Sequence, residues 1–242
     1  MAQFWEHVNK VIEEADIIIE VLDARMIEET RHAEIEEKVR RSRKKILYVI
    51  NKCDLVPKEK MEVAKRELVP SVFISSREHL GTTLLKKKIL EMSRGEPVVV
   101  GILGYPNVGK SSLINALAGR RKAPTSAESG FTKGLLRVRV DKKIVLLDTP
   151  GVFPRNEKDL AKYGKIGAID YSKIKNPEYV VLELLEEAKK KIQNYFEVYE
   201  NDPEELLEKI AFKLNKLQKG GKPDTEATAR FILKEWQIGK IQ

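Results

Sequence analysis

Residues 104 to 111 read Gly-Tyr-Pro-Asn-Val-Gly-Lys-Ser, the spacing G-x-x-x-x-G-K-[ST] by which a backbone curls around phosphate groups. The glycines let N–H groups of the loop point inward, and a helix starting at its end adds the positive pole of its dipole. Lys110 supplies a charge for terminal phosphates and Ser111 a hydroxyl for Mg2+, while Asn107, Val108, Gly109 and Ser112 complete the cradle. Asp148-Thr-Pro-Gly151 closes a later apolar run, where a carboxylate can hold Mg2+ through water and a glycine N–H can meet a γ-phosphate. Thr132, in the stretch SGFTKG between these motifs, is the candidate second Mg2+ ligand on a switch segment, with Thr125 its competitor. Lys110, Thr132 and Gly151 thus form the candidate catalytic set.

Asn51-Lys52-Cys53-Asp54 follows another apolar run, where a loop that reads a base would sit. Guanine carries N1–H and N2–H2 donors on one edge, which a single carboxylate accepts together. Asp54 is assigned to that edge, Asn51 to N7 and the Lys52 stem to the ring face. Adenine lacks the paired donors, so ATP would leave Asp54 unmatched at a cost on the order of 1–3 kcal/mol, which argues against an ATP-using kinase. Ser75-Ser76-Arg77, at the end of a further apolar run, is expected to complete the pocket through backbone N–H groups.

The elements that must hold these loops are legible as alternation. Apolar residues Phe4, Trp5, Val8, Val11 and Ile12 recur at helical spacing. Short buried-strand runs then follow at DIIIEVLD from Asp16, KILYVINK from Lys45 and SVFISS from Ser71, with helical stretches IEETRHAEIEEKVRRSRKK and PKEKMEVAKREL between them. PVVVGILGY from Pro97 runs through the phosphate loop into the helix SSLINALAG, which Gly119 should close, and GLLRVRV and KIVLLDTPG read as a hairpin turning at Asp141 and Lys142. This predicts an α/β domain over residues 1–154, with about six strands in a mostly parallel sheet covered by helices. Beyond Phe153 the pattern is long amphipathic stretches, which predicts an all-helical domain over residues 155–242.

Of 242 residues, 42% are apolar and 34% charged, the composition of a folded globular chain rather than a disordered one. The formal charge of +8 favours an anionic partner such as nucleic acid, although a Lys/Glu-rich surface also serves solubility and heat resistance. Basic clusters lie at Lys38 to Lys45, Lys86 to Lys88 and Arg120 to Lys122, whereas residues 155 to 242 hold 17 basic and 16 acidic residues. Cys53 is the sole cysteine, which excludes an internal disulfide and a cysteine-built zinc site. With no apolar run of about 18 residues and no signal-peptide pattern, a cytoplasmic protein with no membrane partner is expected. His7, His32 and His79 have no metal spacing.

NKCD, ISSR, GYPNVGKSS, GFTKG and DTPG are the five motifs of a GTPase G domain, with base recognition placed before phosphate binding. That order is a circular permutation, and the sequence resembles the YlqF/YawG (RbgA-like) circularly permuted GTPases. The resemblance covers almost the whole chain, including ADIIIEVLDAR near the start and KLQKGGKPDTEATARFILKEWQIGKI at the end. It implies a GTPase using GTP, GDP and Mg2+ that assists assembly of the large ribosomal subunit by binding rRNA or a precursor particle, is a monomer off the ribosome and has no DNA partner. DTPGVFPR then leads directly from the γ-phosphate motif into the helical domain, so a nucleotide-driven lever is expected. An RNA-binding module with a mainly structural nucleotide, and a switch in tRNA modification, are the alternatives.

Ras-like GTPases place a water-orienting glutamine directly after the glycine of Asp-x-x-Gly. Here Val152 stands there, so hydrolysis should be slow without a partner or an ion. The resemblance implies that Asn107 helps hold K+, against the plainer role of shaping the loop. Lys209, Lys213 and Lys216 recur on one helix face, and Lys219 and Lys222 continue the charge through a glycine turn, an arrangement that suits RNA phosphates or a merely solvated surface.

Overall fold

The computed structural model describes residues 2–119, 136–149, 151, 153–154 and 159–241. The chain divides into two compact units, Met1–Lys158 and Asp159–Gln242. In the first, helix α1 (Ala2–Glu14) leads into strand β1 (Ile17–Asp23), helices α2 (Ile27–Thr30) and α3 (Ala33–Arg41), and strand β2 (Lys45–Asn51). Helix α4 (Lys58–Glu67), strand β3 (Ser71–Phe73), helix α5 (Thr82–Met92), strand β4 (Val98–Leu103), helix α6 (Lys110–Ala118), and strands β5 (Leu136–Arg139) and β6 (Ile144–Asp148) follow.

The six strands form one sheet in the order β3-β2-β1-β4-β6-β5, parallel throughout except for the antiparallel β5–β6 pair. Every residue of β1 is buried, as a parallel strand with helices on both faces requires. The chain runs outward from β1 through β2 to β3, then returns to the other side of β1 as β4. Between β1 and β4 the strand order therefore reverses, and the crevice beyond the carboxyl ends of those strands is where such sheets take ligands. The register sets Asp23 beside Asn51 at that edge.

Trp5, Val8, Val11 and Ile12 of α1 cluster with Ile18, Ile35, Val39, Leu103 and Leu147, which fixes α1 and α3 on the sheet. Gly101 permits the close approach, since a Cβ there would stand 2.5 Å from Val11 Cγ1 and 2.9 Å from Ile18 Cδ1. At the β5–β6 turn the Asp141 side chain accepts from the Lys143 and Ile144 N–H groups, at 2.8 and 3.0 Å. Gly119 ends α6 in the left-handed conformation, φ +69°, as its position after the apolar row predicts. The helical stretch IEETRHAEIEEKVRRSRKK forms two helices, α2 and α3. Its break is made by tertiary structure: the His32 N–H donates to the Glu20 carboxylate of β1 at 2.7 Å.

In the second unit, α7 (Leu160–Lys165), α8 (Pro177–Phe196), α9 (Pro203–Lys213) and α10 (Thr225–Gln237) pack around the buried face of α10. Asp159, Asp202 and Asp224 cap three of these helices by accepting from N–H groups of the first turn. The Trp236 indole donates to the Lys165 carbonyl at 2.9 Å, and the Arg230 guanidinium donates to the carbonyls of Tyr171 and Ile174, at 3.1 and 3.0 Å. Among the described residues no helix is long and apolar enough to cross a membrane.

Glu20 is fully buried, and burial first and Glu36 second push its carboxyl from 4.5 up to about 8. The folded state holds that proton more tightly than the unfolded chain, so the associated stability is full below about pH 4.5 and is lost as pH rises through about 8. Glu20→Gln should therefore show a smaller fall in urea midpoint between about pH 5 and about pH 9 than the native chain. Equal falls would place the proton elsewhere.

Candidate functional site

Three loops leave the carboxyl ends of β4, β2 and β3. The phosphate-type loop begins at Gly104, where φ is +139° and a Cβ would stand 2.7 Å from the Val21 carbonyl. Asn107 and Gly109 also take positive φ, +62° and +101°, so left-handed residues recur along the turn as they do where N–H groups converge on an anion. Gly109 opens α6, and Lys110 begins it.

The Lys110 side chain is buried and folds back, Nζ donating to the carbonyls of Gly104 and Tyr105 at 3.1 and 2.6 Å. Burial draws its pKa from 10.5 down to about 8, while Asp148 opposes that shift. Asp148, at the end of β6, is fully buried, and neither carboxylate oxygen accepts a hydrogen bond of normal geometry among the described residues. Burial pushes this carboxyl from 3.8 up to about 6, with Lys110 pulling the other way. Two orphaned hard oxygens beside a helix that carries a half-buried Ser111 at its second residue fit a divalent cation such as Mg2+. Ser112 is exposed. The glycine of the DTPG motif lies directly on the phosphate loop, since a Cβ on Gly151 would stand 2.5 Å from Pro106 Cα.

The base loop is tied to this cradle through Asn51. Its buried amide donates from Nδ2 to the Val108 carbonyl at 3.0 Å and accepts at Oδ1 from the Ser76 N–H at 3.1 Å. Gly109 makes room for it, because a Cβ there would stand 2.2 Å from Asn51 Nδ2. Lys52 follows with φ +61°, and a short 3-10 turn, Cys53–Leu55, carries Asp54 exposed at the rim. Ser75 is buried, exchanges backbone hydrogen bonds with Leu80 at 3.1 Å each way, and accepts at Oγ from the Glu78 N–H at 3.1 Å.

The sequence-derived assignments and the structure differ in particulars. Asn51 is expected to face N7 of a base, yet one of its amide N–H groups and its oxygen are committed to the protein. The Ser76 N–H, expected in the base pocket, is likewise taken by Asn51, and the buried Ser76 hydroxyl has no hydrogen bond among the described residues. Arg77 is 80% exposed and lies 3.5 Å from Glu78. Thr132, Thr125, Val152 and Arg120 to Lys122 lie outside the described residues.

The basic features are also more engaged than charge spacing suggests. Within the Lys38 to Lys45 cluster, Arg40 and Arg41 pair with Glu37, Lys44 donates to the Ala15 carbonyl at 2.8 Å, and Lys45 donates to the Met92 carbonyl at 2.5 Å. In the second unit Lys209 pairs with Glu200, Lys213 with Glu197 at 3.1 Å, and Lys216 lies 5.0 Å over the Phe231 ring. Lys219 and Lys222 flank Gly220 and Gly221 in an exposed turn closed by a bridge between Leu217 and Pro223.

Sequence reasoning left Asp23 and Arg25 without a role. The Asp23 carboxylate, fully buried at the end of β1, receives the Arg25 guanidinium at 3.0 and 2.7 Å and Lys52 Nζ at 2.7 Å. The signal was present as an acidic residue closing an apolar strand, but nothing local shows that its neighbour is the lysine of another motif.

Removing the Asn51 side chain orphans a buried carbonyl and a buried N–H together, at about 1–3 kcal/mol for each group. Asn51→Ala should lower the denaturant midpoint of the nucleotide-free protein by the equivalent of at least about 1 kcal/mol, and an unchanged midpoint would show that the two loops are held by other contacts.

The family profile described as 50S ribosome-binding GTPase matches residues 99–216. A GTP-binding protein of Methanocaldococcus jannaschii is 46% identical over 97% of this chain and 65% of its own length. The GTPase grn1 of Schizosaccharomyces pombe is 34% identical over 97% of the chain and 60% of its own length, and nucleolar GTP-binding protein 2 of Pneumocystis carinii is 32% identical over 99% and 53%. The chain thus spans less than two thirds of the length of these curated relatives. GNP-bound YlqF of Thermotoga maritima shares the fold at a TM-score of 0.70 and 23% identity, covering 98% of this chain and 94% of that one; the GDP-bound form gives 0.69, at 23% identity, 96% and 94%. With its base-reading loop ahead of its phosphate loop on one G-domain sheet, the chain has the circularly permuted GTPase fold that YlqF shows and is similar over nearly its whole length to these GTP-binding proteins.

Proposed function

We propose that this chain binds GTP and GDP with Mg2+, hydrolyses GTP to GDP and phosphate, and serves as a nucleotide-dependent switch in large ribosomal subunit assembly by binding rRNA of the precursor particle. The observation that carries this reading is the buried Asn51 amide, which makes one cradle of a loop built for phosphates and a loop built for guanine. Asp54, exposed at the rim, accepts the paired guanine donors, while the Lys52 stem covers the ring. The loop from Gly104 to Gly109 turns its N–H groups on the phosphates, and Lys110 transfers its donors from two carbonyls to phosphate oxygens. Ser111, Thr132 and Asp148 would hold Mg2+, Asp148 through water, and the ion supplies charge neutralisation at the phosphates. Gly151, against Pro106, is placed to sense a γ-phosphate at the start of the segment that leads to the helical unit.

Val152 cannot orient water, so turnover by the protein alone is slow. Asn107 is assigned to K+, which would stand where other GTPases use an arginine. The partner assignment is supported by the matching profile, described as 50S ribosome-binding GTPase, and by similarity to a relative named nucleolar GTP-binding protein 2. Lys219 and Lys222, in their exposed turn, are the first candidates for RNA phosphate. Lys209 and Lys213 join them readily, since exposed ion pairs are worth only about 0–1 kcal/mol and exchange one anion for another.

Three measurements test the proposal. Asp54→Asn should weaken GDP binding by about a hundredfold or more and shift preference toward xanthine nucleotides, whose edge offers an acceptor to the new amide. Turnover in KCl should exceed that in NaCl at equal ionic strength, and equal rates would remove K+ from the site. Cosedimentation with large ribosomal subunits at fixed salt should occur with a non-hydrolysable GTP analogue and be lost with GDP. Equal binding in every state would favour the second reading, an RNA-binding module with a structural nucleotide, for which the apolar Val152 is the observation.

A further inference from the structure

We propose that Asp23 is a positioning residue for base binding: together with Arg25 it anchors the Lys52 ammonium and so holds the lysine stem as a preformed wall for a purine ring. The inference rests on the guanine-nucleotide reading above, because it assigns a purpose to a buried charge cluster that phosphate chemistry does not need.

Lys52 is fixed at both ends. Its backbone takes the left-handed conformation, φ +61°, which costs a residue with a side chain and persists only where the surroundings impose it. Its Nζ meets Asp23 Oδ2 at 2.7 Å. Asp23 is in turn saturated, since Oδ1 accepts from the Arg25 N–H and Nε at 3.0 Å each and Oδ2 from Arg25 Nη2 at 2.7 Å. The Asp23 N–H itself donates to the buried hydroxyl of Thr30 at 3.1 Å, which pins the strand end from which the carboxylate projects. Burial alone would favour a protonated Asp23, yet Lys52 and Arg25 hold it well below the usual carboxylate range, so the anchor stays charged.

Burial also carries a penalty for Lys52, whose pKa it draws down while Asp23 opposes the shift. A lysine freed from Asp23 would turn its ammonium toward water and recover the rotamer freedom of four torsions. A base would then have to reorder the stem on binding. Asp23 supplies that order in advance, which is how a group that never touches the ligand changes its affinity.

The prediction is a coupling, which a merely structural role lacks. Affinity for a fluorescent GDP should fall about tenfold in Asp23→Asn, within the range of coupling between contacting residues. The same loss should apply to the inosine diphosphate analogue, because the stem meets the ring face and not the guanine edge. In a Lys52→Met background, where an apolar stem needs no anchor, Asp23→Asn should produce no further loss. Equal losses in both backgrounds would overturn the proposal and leave Asp23 as a fold residue. Asp23→Glu, which keeps the charge, should retain most of the affinity, and an Asp23→Glu protein as weak as Asp23→Asn would count against it. Failure of the native chain to bind GDP would instead refute the nucleotide reading, so the two failures are distinct.

Discussion

A buried side-chain amide joins the two halves of the binding edge. Asn51 closes β2, yet its donor is spent on the Val108 carbonyl of the phosphate loop and its acceptor on the Ser76 N–H of the loop after β3. Each of those backbone groups needs a partner once it leaves water, and the amide answers both at once. Gly109 is bare where Asn51 passes, and the register sets Asp23 at its side. The motif order along the chain is therefore immaterial to the site: the sheet brings the strand ends together, and Asn51 locks the loops they carry.

Two buried carboxylates on this edge show how partners divide structure from chemistry. Asp23 and Asp148 are both fully buried at strand ends. Asp23 is met by two cations and stays ionised, while Asp148 has no hydrogen-bond donor of normal geometry among the described residues and is pushed up to about 6. An unsatisfied buried carboxylate costs free energy, which suits the cation proposed for this strand end. Lys110 gives the complementary sign: it is a buried ammonium resting on carbonyls that a phosphate can replace.

The phosphate loop, the alternation of strands and helices and the β5–β6 hairpin were legible because each is written in local spacing: glycines at fixed offsets, apolar runs of strand length, an aspartate at a turn. What was hidden depends on partners far along the chain. The break between α2 and α3 is made by Glu20 from β1, and a helix-period pattern contains no trace of it. Lys209 and Lys213 align on one face of α9, but Glu200 and Glu197, which pair with them, precede that helix. Asp23 reads as the end of an apolar strand until the sheet sets it beside Lys52.

The order of the strands has a consequence for how the protein is made. Synthesis proceeds from the amino end, and domains tend to fold as their segments emerge. The portion carrying β1, β2 and β3 is complete while β4 is still to come, so β1 has an open edge and Asn51 has no Val108 to hold. A nucleotide cannot rescue that half, because the phosphate loop that would grip it arrives only after β4. On the proposed reading, nucleotide affinity would therefore appear only once β4 and its loop have joined β1, and a bound nucleotide would report that closure rather than assist the first three strands.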